Sequence, residues 1–152
     1  MKKIVILSIF CLTASCLLSF DFRPTTAAER IVIIVHKDNP VATLSASEVK
    51  LYYLRRIKKR WPGIDKNIRP VDRKKKCDER DAFYSIIGLN ESQIEQYFVN
   101  KQLQNAERPP DKFATETEMI AFVAEEIGAI GYIKASSVTP EILAKVKIVF
   151  TL

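Results

Sequence analysis

The sequence predicts an α/β domain, a mainly parallel sheet flanked by helices. Three observations lead there. Ile31-Val32-Ile33-Ile34-Val35 is an unbroken β-branched run between Arg30 and His36, the composition of a strand buried on both faces. Two further apolar segments of strand length follow, residues 129–133 and 146–150. Segments at helical period lie between them, the cleanest over residues 115–126, where Met119, Phe122, Val123 and Ile127 share a stripe. Strands that alternate with helices build a layered sheet with parallel neighbours, and helix is expected to exceed strand.

The elements follow in order. After the first strand, Lys37-Asp38-Asn39-Pro40 is turn chemistry. Ser45-Ala46-Ser47-Glu48 is a capping box; the helix behind it carries Val49, Tyr52, Tyr53 and Ile57 on one side, with Leu51 and Leu54 off that stripe. Pro62-Gly63 breaks the chain, and residues 68–71 form a short strand. Residues 78–87 are a helix with Phe83, Ile86 and Ile87 inward, ended by Gly88; Asn90 starts another that lines up Ile94, Tyr97 and Phe98. Residues 102–112 are polar, contain Pro109-Pro110 and read as a loop. Gly128 is expected to cap the 115–126 helix and Gly131 to mark tight packing in the following strand. Thr139-Pro140 caps a short helix before the strand at 146–150.

Residues 1–28 read as a cleavable signal peptide: Lys2 and Lys3, an uncharged stretch from residue 4 to 20, then the small residues Thr26-Ala27-Ala28. The alternatives are an uncleaved membrane anchor over the same stretch and a lipid-attachment site at Cys16. Residues 29–152 then form one exported domain, expected in the periplasm. Its single cysteine, Cys77, excludes an internal disulfide. Charge is uneven: residues 55–76 hold eleven Lys and Arg against Asp65 and Asp72. Such a sector attracts anions. Outside the cytoplasm these are phosphate, acidic headgroups or acidic protein surfaces rather than nucleic acid.

The strand–loop–helix step from Val71 through Asp78 is the best anion candidate, because a helix start presents unpaired N–H groups and a partial positive charge. Arg73 and Lys76 stand just upstream, with Cys77, Asp78 and Glu79 at the helix start. The competing reading is a self-capped helix whose first turn is satisfied by Asp78 and Glu79 beneath a solvated lysine run. Cys77 in this cationic loop is open to a lowered thiol pKa. Trp61 either stacks on a partner or covers the core edge, and His36 reads as structural. No zinc spacing, Ser-His-Asp set or nucleotide loop occurs, so neither an enzyme nor a metal or cofactor site is expected.

Asn39-Pro40, Leu44-Ser45, residues 51–59, Trp61, Val71-Asp72, Ala82-Phe83-Tyr84 and Gly128-Ala129-Ile130-Gly131-Tyr132 together resemble the periplasmic phosphate-binding, PstS-like substrate-binding proteins. Arg108-Pro109-Pro110 resembles the short members of that group. The resemblance runs over residues 31–133 and implies a single lobe of a type II periplasmic-binding-protein-like fold. It also implies phosphate or a similar oxyanion as ligand and an ABC permease or envelope protein as partner. The family's step has an arginine, a spacer, Ser-Gly-Thr and a helix reaching a phenylalanine. Anchored on Ala82-Phe83, it puts Arg73 on the arginine, while Cys77, Asp78 and Glu79 replace the serine, glycine and threonine. The glycine- and hydroxyl-rich phosphate loop of the family's first lobe has no counterpart in residues 29–152. The alternative is an interaction module of the cell envelope that keeps the lobe, binds no small ligand, and docks through its basic face to an envelope partner, a membrane surface or a second copy of itself.

Overall fold

The computed structural model describes residues 30–56 and 60–152. The predicted signal segment with Cys16, and residues 57–59 at the predicted end of the first helix, lie outside the described residues. Among the described residues no helix is long and apolar enough to cross a membrane.

Strand β1 (Ile31–His36) is buried along its whole apolar run. Helix α1 (Ala46–Tyr53) starts at the predicted capping box, Ser45 with Glu48, and buries Val49 and Tyr53. Strand β2 (Arg69–Arg73) leads into α2 (Asp78–Ile87), which ends at Gly88 in the left-handed region at φ 67°. Helix α3 (Glu91–Asn105) is capped reciprocally by Asn90 and Gln93, and buries Ile94 and Phe98. Strand β3 (Asp111–Phe113) precedes α4 (Glu116–Glu125), whose Thr115–Glu118 box fixes its start. Then come β4 (Ala129–Lys134), the one-turn helix α5 (Pro140–Leu143) and β5 (Val146–Thr151).

The predicted loop at 102–112 is corrected at both ends. Helix α3 continues to Asn105, although its last turns expose Val99 and Leu103 and so show no apolar stripe. Strand β3 has no buried residue and is held by its parallel ladder to β2, a backbone signal that leaves no hydrophobic pattern. Gly128 is also corrected. The last cap position of α4 is Glu126, and the glycine is needed because a Cβ there would lie 2.2 Å from the carbonyl oxygen of Asn67. Gly131 is tight as expected: its Cβ would meet Val71 Cγ2 at 2.8 Å.

The sheet order is β3-β2-β4-β1-β5. Strand β2 pairs parallel with β3 and β4, whereas β1 pairs antiparallel with both β4 and β5. Four strands therefore point one way and β1 alone is reversed, inserted between β4 and β5. The expectation of a mainly parallel sheet holds for strand direction, but half of the ladders are antiparallel and the sheet is mixed. Nothing in the residues of β1 encodes its direction; a buried strand is apolar on both faces in either sense.

Gly131 faces Val123 and Met119 of α4, while its neighbour Tyr132 stacks on Phe83 of α2 at 4.2 Å. Successive strand residues point to opposite faces, so α4 covers one face of the sheet and α2 the other. Tyr53 joins the second layer edge-on to Phe83 and Phe98. Trp61 closes the core edge: it is buried, stacks on Tyr52 and donates from Nε1 to the Gly128 carbonyl at 2.8 Å.

Candidate functional site

Strands β2 and β4 are parallel neighbours, so their last residues, Arg73 and Lys134, reach the same end of the sheet. In open α/β sheets this carboxyl end is where ligands are received. Helix α2 begins there, five residues after Arg73.

The backbone of Arg73 is held from behind. Its N–H lies 2.8 Å from Asp72 Oδ1 and 3.2 Å from the Tyr132 hydroxyl. Asp72 itself is 1 % exposed and forms the hub of a buried polar cluster. The hydroxyls of Tyr84 and Tyr132 each donate to it at 2.6 Å, and that of Tyr53 at 3.2 Å. Arg80, equally buried, places Nε 3.8 Å from the carboxylate, donates to Tyr84 at 3.0 Å and reaches Glu91 at 2.8 Å. Burial, then the Asp72 charge, push the phenols of Tyr53, Tyr84 and Tyr132 above their ordinary value. Burial opposes the Arg80 charge, but Tyr84, Asp72 and Glu91 outweigh it and the guanidinium is held more firmly protonated than usual. A buried network of this kind is stable because its members are mutually satisfied.

In front of this hub stands Glu79, the second residue of α2 and 4 % exposed. Its carboxylate lies 3.7 Å from Arg73 Nε and 3.8 Å from Lys134 Nζ. Both are ion-pair distances, too long for hydrogen bonds. Arg73 Nε and Nη1 are buried with no hydrogen-bond partner. Burial first, with the neighbouring Glu79 adding to it, raises the Cys77 thiol pKa against the opposing Arg80 N–H and Arg73 charge, which corrects the expectation of an activated thiolate in a cationic loop. Cys77 is the N-cap residue of α2, yet no side chain caps the helix start, so the self-capping expected of Asp78 and Glu79 does not occur: Asp78 is exposed and Glu79 turns to the two cations.

Of the five residues predicted for the site, the structure brings together Arg73, Cys77 and Glu79. Lys76 points away to Asp81, 3.7 Å from it at the surface, and Asp78 stays in solvent. Lys74 and Lys75 are exposed beside them. Lys134 was missed; its signal is a lone charge ending a buried strand, and it becomes meaningful only once β4 is known to lie beside β2. The Asp72 cluster was missed as well. Its signal was a carboxylate inside a strand, with tyrosines scattered over eighty residues.

Two surface clefts, of about 460 and 490 Å³, do not include Arg73; the first is lined by Lys76, Tyr84 and Glu91, the second by Arg55, Arg69 and Arg108. In the second, Arg69 is already paired with Asp111 at 2.8 Å and Glu126 at 2.7 Å. His36 accepts from the Asp38 N–H at 3.0 Å, a turn contact. Among the described residues no group of His, Cys, Asp and Glu is arranged to hold a metal ion.

No protein-family model matches the sequence, and no curated protein matches it. Solved structures do. An ABC-type phosphate transport receptor from Vibrio cholerae is 22% identical with a TM-score of 0.60, the match covering 80% of this chain and 45% of that one. A protein assigned as a phosphate ABC transporter substrate-binding protein from Clostridium perfringens, solved with bound phosphate, is 28% identical with a TM-score of 0.62 and the same coverages. A possible phosphate-binding protein from Planctomyces limnophilus is 13% identical with a TM-score of 0.57, over 80% of this chain and 42% of that one. The chain thus has a PstS-like periplasmic-binding-protein fold and spans less than half the length of these three structures.

Proposed function

We propose that this lobe, with the fold of phosphate ABC transporter substrate-binding proteins, is an exported solute-binding protein that takes phosphate or a similar oxyanion at the carboxyl ends of β2 and β4. One observation carries the reading: Arg73 Nε and Nη1 are buried donors without an acceptor, next to a helix start that no side chain caps. A buried unpaired N–H leaves its desolvation uncompensated. A tetrahedral oxyanion supplies acceptors to the guanidinium and to the first N–H groups of α2 together, with Lys134 as a second positive charge. The bound phosphate of the Clostridium perfringens neighbour supports that class of ligand. The role is binding rather than catalysis. Residues 1–28 act as the export signal, residues 29–152 work in the periplasm, and an ABC permease or another envelope protein receives the ligand.

The test is isothermal titration of the chain with inorganic phosphate, beside Arg73→Met. Charge-assisted hydrogen bonds contribute about 1.5–3 kcal/mol each, so the variant should bind at least about tenfold more weakly. No heat and no rise in melting temperature at millimolar phosphate refutes the reading, because a micromolar site would be stabilised visibly there.

A second reading is favoured by one contact, the Glu79 carboxylate already seated between Arg73 and Lys134. On it the lobe binds no small ligand and its exposed Lys74–Lys76 rim docks an acidic envelope partner or a second copy. Salt-sensitive capture of such a partner, without phosphate binding, would select it.

A further inference from the structure

Resting on the oxyanion reading, we infer that Glu79 is the site's built-in competitor, and that it makes the lobe select doubly charged oxyanions over singly charged ones. The argument begins with what faces this carboxylate: the Arg73 guanidinium from β2, the Lys134 ammonium from β4, and the Cys77 thiol from the junction before α2. The two cations are the donors an incoming anion needs. Glu79 therefore holds the ligand's electrostatic place in the empty protein.

It holds that place loosely. A well-made pair between a cationic N–H and a carboxylate closes to about 2.7–2.9 Å; Glu79 stands at 3.7 and 3.8 Å from its cations and leaves two Arg73 nitrogens without an acceptor. The backbones that carry the two cations are fixed. The Arg73 backbone N–H is fixed on Asp72 and Tyr132, and that of Lys134 donates to Glu116 at 2.6 Å. When an anion arrives, the carboxylate, which makes no close pair with either cation, yields its place: Glu79 turns out toward solvent past the exposed Asp78.

Selectivity follows from the exchange. A singly charged anion replaces one negative charge by another and gains little, while it must still displace the carboxylate. Hydrogen phosphate brings two charges against the two cations and gains the difference. Two anions cannot share the space, since like charges at contact distance repel by about 1 kcal/mol or more even in a wet environment. Glu79 thus filters ligands by charge, without which the Arg73–Lys134 pair would accept anions less discriminately.

The experiment titrates the full chain, as wild type and as Glu79→Gln, with inorganic phosphate and separately with nitrate. Glutamine keeps the side-chain volume and removes the charge. We expect phosphate to bind roughly tenfold more tightly to the variant, nitrate binding to become measurable, and the preference for phosphate to narrow. Equal phosphate and nitrate affinities in the two proteins overturn the inference and leave the oxyanion site standing. A folded wild type and a folded variant that both ignore phosphate overturn the site itself. Binding in the variant alone supports the competitor in its strongest form. Should Glu79→Gln fail to fold, carbon-13 resonances of the Glu79 carboxylate in the wild type serve instead. They should shift as phosphate saturates the protein, and resonances unmoved at saturation overturn the inference.

Discussion

Replacing Asp72 with asparagine tests the hub that positions Arg73. The carboxylate accepts from Tyr84 and Tyr132 at 2.6 Å, from the Arg73 N–H at 2.8 Å and from Tyr53 at 3.2 Å, and lies 3.8 Å from Arg80 Nε. Asparagine keeps the shape but turns one acceptor oxygen into an NH₂ group. Whichever oxygen is lost, two donors then face a donor: Tyr53 with Tyr84, or Tyr132 with the Arg73 N–H. A hydrogen bond to a charged group contributes about 1.5–3 kcal/mol, so the loss is about 3–6 kcal/mol. The phenols can rotate to accept from the new NH₂, and Arg80 retains Glu91 at 2.8 Å, which places the expectation in the lower half of that range. Even so it is a large share of the roughly 5–15 kcal/mol by which domains are stable. Urea unfolding followed by the fluorescence of Trp61, the single tryptophan and buried at 2 % exposure, measures it directly. Tyr132→Phe should lose about half as much. A decrease below about 1 kcal/mol for Asp72→Asn would mean the cluster is solvated in solution, and the account of how Arg73 is held would fail.

Two further outcomes are expected. Tyr53, Tyr84 and Tyr132 have folded-state pKa values raised above the ordinary 10.0, by burial first and by Asp72 second. Above that pH the folded chain keeps protons that the unfolded chain releases, so stability is full below the unfolded value and falls as pH rises through it. Phenolate absorbance of these three should appear together with loss of structure; a smooth titration of all tyrosines in a still-folded protein would refute the burial. Gly128→Ala forces a Cβ against the Asn67 carbonyl oxygen at 2.2 Å, backbone against backbone, and disturbs the carbonyl that accepts from Trp61 and Arg69. It should destabilise by about 1–3 kcal/mol or more, read in the same urea assay, whereas a neutral substitution would show that residues 67 and 128 do not approach so closely.

Much of the architecture was legible because its signals are local. The α2 bounds at 78 and 87, the Gly88 stop and the Ser45 box depend on residues within one turn of each other, and the β1 run declares its own burial. What stayed hidden was long-range. Strand β3 is Asp-Lys-Phe, defined by its partner and not by its side chains. Lys134 and Arg73 are 61 residues apart in the chain and meet only through the β2–β4 pairing. The candidate site was half legible for the same reason: Arg73 and Glu79 belong to one short step, while the second cation and the tyrosines around Asp72 come from elsewhere in the fold. Lys76 was misplaced because a run of like residues says nothing about which member points inward.

The reversed strand β1 bears on how the molecule is made. Ile31 pairs with Lys134 and Val32 with Thr151, so the most apolar segment finds its neighbours only at the far end of the chain. Closing so long a loop early is entropically unfavourable, and folding dominated by such distant pairings is slow. During synthesis, β1 has no sheet to join until β4 and β5 have left the ribosome. A chain wired in this way cannot complete its sheet until its last strand is available, so the segment richest in β-branched residues waits longest for its partners.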